Sequence, residues 1–179
     1  MRLAIALGAL VLAAVPAEAA PAAPAFTVRL LDGSGAFDSR AHLGKNVLIV
    51  RFQASWCKVC HEEAAGIERV YRKYRTRGVA LVSVQVQDTE ADARRFLEVN
   101  KASYPAGLDP RLKIANRFGF RGTPYTVVID KGGEMVARIH GRSDEARIGR
   151  ILDRLVRRAP GPKAPAPKAP APRPPARSR

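Results

Sequence analysis

Cys57 and Cys60 are the two cysteines of the chain, and both fall in the stretch FQASWCKVCHEE at residues 52–63. Their spacing suits three chemistries: a redox dithiol, half of a zinc site, or, with His61, the C-x-x-C-H pattern that attaches c-type haem. A zinc site would need two further ligands at usable spacing, and these are missing. A haem would need a sixth ligand. Met135 alternates inward on a predicted strand, which leaves His42 and His140. A disulfide closing so short a loop adds little chain-entropy stabilisation, because that contribution grows with loop length. The pair therefore reads as reactive rather than structural.

The elements around the pair sharpen the choice. VLIVRF, Val47 to Phe52, is a nearly continuous apolar run, as expected of a strand buried on both faces. From Cys57 the pattern turns helical, with Ile67, Val70, Tyr71 and Tyr74 on one stripe until Gly78 stops it. Cys57 then sits in the first turn of a helix, where unpaired N–H groups and the positive end of the macrodipole favour a thiolate. This assigns Cys57 as the exposed nucleophile and Cys60, one turn further in, as the resolving thiol. Lys58 adds a nearby cation that also favours the thiolate; the plain alternative is a solvated lysine.

VALVSVQV follows as a strand, and Thr89 to Asp92 resembles a capping box opening a helix through Phe96 and Leu97. An extended piece spans Tyr104 to Leu108, and a short helix is predicted from Pro110 to about Arg117. YTVVID and EMVARI are strands joined at Lys131-Gly132-Gly133. Ser143 is read as the cap of a last helix whose stripe is Ile148, Ile151, Leu152 and Leu155. Phe26 to Leu31 and the turn after it suggest an N-terminal hairpin. Strands alternating with helices imply an α/β fold with parallel pairs, finished by an antiparallel hairpin.

The two ends place this domain. Arg2, the apolar run Leu3 to Val15 and Ala17-Glu18-Ala19 form an export signal over residues 1–19, expected to be cleaved after Ala19. Its apolar run is shorter than the roughly 20 residues a membrane span needs. Residues 20–158 hold one domain. Residues 159–179 form a basic Pro/Ala/Lys-rich tail, expected to be extended and disordered, with five cations and no acid. The whole chain carries a formal net charge of +15. For an exported, periplasmic or extracytoplasmic protein the anionic counterpart is membrane or wall polymer rather than nucleic acid; a solvated spacer is the bland alternative.

Taken together, these features resemble the TlpA/ResA-type thioredoxin-like family of exported thiol–disulfide oxidoreductases. Four of them carry the resemblance: Trp56-Cys57-Lys58-Val59-Cys60 at a strand-to-helix junction, Gly122-Thr123-Pro124 before a later strand, IDKGGEMVARIHG as a terminal hairpin, and the helix and short strand between Thr89 and Leu108 as the family's central insertion. The resemblance implies a thioredoxin-like fold: a central mixed sheet flanked by helices, with an N-terminal β-hairpin and a central α/β insertion. It implies a Cys57–Cys60 disulfide as the redox-active group, with no further cofactor. It further implies that Glu63 manages the proton of the thiols, and that a cis Thr123-Pro124 loop presents Thr123 backbone groups to an extended substrate beside Cys57. Trp56 would flank the nucleophile as an apolar docking surface. The function implied is reduction of specific envelope proteins, such as cysteine pairs awaiting haem or copper, with a membrane electron donor.

Two departures stand out: Val59 where many members have proline, and Arg51 within the central strand. Arg51 precedes Cys57 by six residues, at the family position that lies beneath the active-site helix. A buried cation needs a partner. Glu63 should reach the same space, so an Arg51–Glu63 ion pair is expected, engaging the carboxylate and placing a cation that raises the reduction potential. The alternative is an Arg51 that snorkels to the sheet edge. Rival functions are a non-catalytic binding module with a polyanion-binding tail, and covalent haem at Cys57, Cys60 and His61.

Overall fold

A computed structural model describes residues 20–157; the expected export signal and basic tail lie outside them. Two strands, β1 (Thr27–Arg29) and β2 (Ala36–Asp38), pair antiparallel as the N-terminal hairpin. The chain then runs β3 (Val47–Gln53), α1 (Lys58–Tyr74), β4 (Val79–Val86), α2 (Glu90–Val99), β5 (Ala106–Asp109), β6 (Tyr125–Ile129), β7 (Met135–His140) and α3 (Glu145–Arg157). Strands β3 to β7 form one sheet in the order β5-β4-β3-β6-β7, parallel from β3 to β5 and antiparallel from β3 through β6 to β7. This is the mixed sheet expected, and the order of elements matches except for the helix predicted between β5 and β6.

β3 is central, and all seven of its residues are buried. Alternation divides them between two cores. Leu48, Val50 and Phe52 join Phe26, Val28, Phe118 and Tyr125. Val47 and Ile49 join Ile67, Val70 and Tyr74 of α1 and Ile148 and Leu152 of α3. Arg51 and Gln53 continue the second parity, so the end of β3 nearest the cysteines turns polar beneath α1. The hairpin packs close on β5, where a Cβ on Gly107 would lie 2.8 Å from the Arg29 carbonyl oxygen. Only glycine fits there.

Two local expectations are corrected. The helix predicted from Pro110 to Arg117 is a turn followed by one 3-10 turn, Ala115–Phe118. The buried Asp109 carboxylate captures the N–H groups of Lys113, Ile114 and Ala115 at 2.7–2.8 Å, which holds the chain in a turn. Ser143 does not cap α3. Asp144 does, accepting from Arg147 N at 2.6 Å, and the Ser143 hydroxyl is turned into the core.

The second core is pinned at its edge by Glu68, which accepts from Ser103 N and Oγ at 2.8 and 2.5 Å and from Arg72 Nε at 2.6 Å. Burial pushes this carboxyl up, but the Ser103 and Arg72 hydrogen bonds outweigh it and hold it below its ordinary 4.5. A depressed carboxyl contributes stability that is complete above the unfolded pKa and lost as pH falls through the folded one. The melting temperature should therefore fall as pH drops from about 5 to about 2, and fall less steeply in Ser103→Ala. Parallel melting curves for the two proteins across that range would show that Glu68 does not contribute.

Candidate active site

The cysteines lie where β3 hands over to α1. Cys57 is the N-cap of α1, and the Cys60 N–H donates to its sulfur at 3.1 Å. The Cys57 carbonyl accepts from Cys60 N and His61 N at 3.0 and 3.3 Å. The two sulfurs are joined as a disulfide. Both cysteines belong to the apolar cluster around Phe52 and Ala54; Cys57 keeps 6% of its surface and Cys60 none. Cys57 is thus less exposed than expected, because its sulfur turns back toward Cys60 within that cluster. The order of accessibility stands. In the reduced protein iodoacetamide should alkylate Cys57 faster than Cys60; equal rates, read by mass spectrometry of the labelled peptides, would contradict the assignment.

The loop before the helix is clamped from several sides. Ser55 N and Oγ donate to the Asp88 carboxylate at 2.7 and 2.5 Å. Trp56 Nε1 donates to the Gln87 carbonyl at 3.3 Å while the ring stays 59% exposed, so Trp56 is a surface group and not a core one. His61 bridges the Ser55 carbonyl through Nε2 at 2.8 Å and the Asn100 amide through Nδ1 at 3.0 Å. Its ring lies 4.6 Å from that of Phe96. The Asn100 amide nitrogen also donates to the Phe96 carbonyl, so His61 Nδ1 is the acceptor and Nε2 carries the proton. Both His61 nitrogens are engaged in this lock.

The Thr123-Pro124 bond is cis. Pro124 leads into Tyr125, which pairs with Phe52 across the sheet, and this register sets the loop beside the segment that ends at Cys57. Gly122 has φ 151°, a conformation that favours glycine. Lys58 is exposed and forms no ion pair among the described residues.

Beneath the helix lies the Arg51–Glu63 pair, at 2.9 Å. Arg51 has no exposed surface, so it does not snorkel to the edge. Its other donors reach Gln53 Oε1 at 3.1 Å, Thr126 Oγ1 at 3.1 Å and Ser143 Oγ at 2.9 Å. The second Glu63 oxygen accepts from Ser143 N at 2.6 Å. Ser83 and Gln85, the β4 neighbours of Arg51 and Gln53, extend this polar strip; both are fully buried. Sequence alone points to Arg51 and Glu63 but not to Ser143, Thr126, Gln53, Asp88 or the His61–Asn100 lock. One signal exists for one of them: Thr126 is a polar residue in a predicted strand otherwise rich in valine and isoleucine.

With this geometry in place, comparisons locate the chain among known proteins. A family model described as the AhpC/TSA family matches residues 19–138. Among curated relatives, a protein named thiol-disulfide oxidoreductase ResA from Bacillus cereus is 27% identical over 133 residues, covering 74% of this chain and 76% of the relative. A protein of the same name from Halalkalibacterium halodurans is 29% identical over 137 residues, 76% of this chain and 77% of its own. Among solved structures, a thioredoxin-family thiol:disulfide interchange protein from Chlorobium tepidum TLS superposes with a TM-score of 0.71 at 24% identity, over 79% of this chain and 99% of its own. The chain belongs to the AhpC/TSA family and is a thiol–disulfide oxidoreductase of the thioredoxin fold.

Proposed function

We propose that this oxidoreductase is exported and reduces disulfides in specific envelope proteins, such as cysteine pairs awaiting haem or copper. The observation that supports this best is the placement of Cys57 as the N-cap of α1, with the helix amides and the cis Thr123-Pro124 loop beside it. In the dithiol form the Cys57 thiolate attacks one sulfur of the substrate disulfide. That S–S bond breaks, the departing substrate thiolate takes up a proton, and a mixed disulfide forms. Cys60 loses its proton and attacks the Cys57 sulfur, releasing the second substrate thiol. The substrate gains two electrons and two protons, and the protein is left with the Cys57–Cys60 disulfide. A dithiol electron donor at the membrane resets it, and no further cofactor takes part.

Trp56 and Thr123 hold the incoming segment, through an exposed apolar ring and backbone groups respectively. Glu63, three residues beyond Cys60 on α1, takes the Cys60 proton in this reading. Both of its oxygens already accept one hydrogen bond, from Arg51 and from Ser143 N, and each keeps a second lone pair that can take the proton. Arg51 and Lys58 set the charge around the thiols.

Trapping tests the reading. Cys60→Ser removes the resolving thiol, so Cys57 should retain its substrate in a stable mixed disulfide that mass spectrometry identifies. Recovery of envelope proteins with paired cysteines supports the proposal; a variant that captures no thiol protein removes it.

A further inference from the structure

The segment that leads into the cis Thr123-Pro124 loop carries an excess of unpaired positive charge. Residues 110–129, which lead into the cis-proline loop and β6, contain no acid and four cations: Arg111, Lys113, Arg117 and Arg121. All four are exposed, as is Lys58 next to Cys57. Among the described residues none of these five forms an ion pair. Four carboxylates around the site are engaged elsewhere. Glu62 pairs with Arg142, Glu63 with Arg51, Asp88 holds Ser55, and Asp109 holds the amides of residues 113–115.

The segment is anchored rather than loose. The rings of Phe118 and Phe120 lie 5.5 and 6.0 Å from that of Phe52, which leads the chain into the cysteine loop. Arg117 and Arg121 flank these anchors, and Arg121 immediately precedes Gly122-Thr123-Pro124. Cations fixed on a rim attract an oppositely charged partner and accelerate its encounter, an effect screened once salt shortens the Debye length.

We propose that this rim makes the protein selective for disulfides set in acidic segments, with Arg117, Arg121 and Lys58 facing carboxylates that flank the substrate cysteines. The inference rests on the function proposed above. It adds the class of substrate: an exposed, extended, acidic stretch carrying a cysteine pair, with an apolar side chain for Trp56.

The test uses the full chain in its dithiol form and two peptides with the same disulfide loop, one flanked by Glu and Asp and the other by Lys. At low ionic strength the acidic peptide should be reduced roughly tenfold faster or more, and the ratio should collapse toward one in molar salt. Arg117→Glu with Arg121→Glu should erase or invert the ratio; both residues are exposed and make no side-chain hydrogen bond among the described residues, so the fold should tolerate the change. Equal rates at low salt, or a ratio indifferent to salt and to the double variant, overturn the inference alone. Reduction of neither peptide removes the proposed function and the inference with it. Tight binding of a soluble polyphosphate without any peptide preference would assign the rim to a polymer, and overturns it too.

Discussion

Cys57→Ala should reduce disulfide exchange to background, a loss of at least roughly 10³ in kcat/KM, while the protein stays folded. The two halves of this expectation have separate causes. The rate depends on one thiolate at the helix N-terminus, and Cys60, with no exposed surface, cannot take over the attack. The fold depends on cores that lie largely elsewhere, around β3, and alanine fills all but the sulfur of the site. A disulfide closing a loop of so few residues contributes about 2 kcal/mol at most through chain entropy. Comparing wild type and variant in their reduced forms removes even that. Circular dichroism and an insulin-type disulfide assay decide the matter together. An unfolded variant at ordinary temperature would make the pair structural, and an active one would move the nucleophile to Cys60.

Much of this site is legible in the sequence, and the reasons are local. An apolar run followed by a helical stripe gives β3 and α1, and so places Cys57 at the junction. The Thr-Pro dipeptide ahead of a strand and the hairpin glycines are equally local signals. What the sequence hides is long-range. Ser143 sits in a Ser-Asp-Glu sequence that looks like a helix start, yet Asp144 takes that role. The serine is needed by Arg51, which lies 92 positions away; the β3–β6 and β6–β7 pairings together bring the end of β7, and Ser143 after it, to Arg51. His61 suggests a haem ligand because it follows Cys60. Its partners, Ser55 and Asn100, are brought to it by the loop and by the end of α2. The missing helix after Pro110 has the same origin, since the Asp109 carboxylate outcompetes the helical hydrogen bonds that the local pattern favours. In each case a polar side chain finds a partner that periodicity does not reveal.

The Arg51–Glu63 pair carries the other large expectation. Arg51 is the largest fully buried side chain of the described residues, and Glu63 is its only charged partner among them. Removing that partner leaves a cation in the core, so Glu63→Ala should lower unfolding stability by about 3–5 kcal/mol. Replacing both residues, as Arg51→Met with Glu63→Leu, should recover most of the loss, because a buried pair exchanged for apolar groups of similar volume is often close to neutral. Urea titration measures both. If Glu63→Ala is as stable as wild type, the pair is not what holds the guanidinium. The redox consequence has a definite sign for each single change. Glu63→Gln leaves an uncompensated cation under the active-site helix, which favours thiolate, stabilises the dithiol and raises the reduction potential. Arg51→Asn removes the cation and leaves the Glu63 carboxylate, which disfavours thiolate and makes the protein more reducing. A tenfold change in the exchange equilibrium corresponds to about 30 mV, so shifts of that order in opposite directions are expected from equilibration with glutathione. Should Arg51→Asn prove no more reducing than wild type, the charge under α1 does not reach the thiols, even though the contact exists. Opposite shifts would identify the buried polar strip, and not the C-x-x-C dipeptide alone, as what sets the potential of this disulfide.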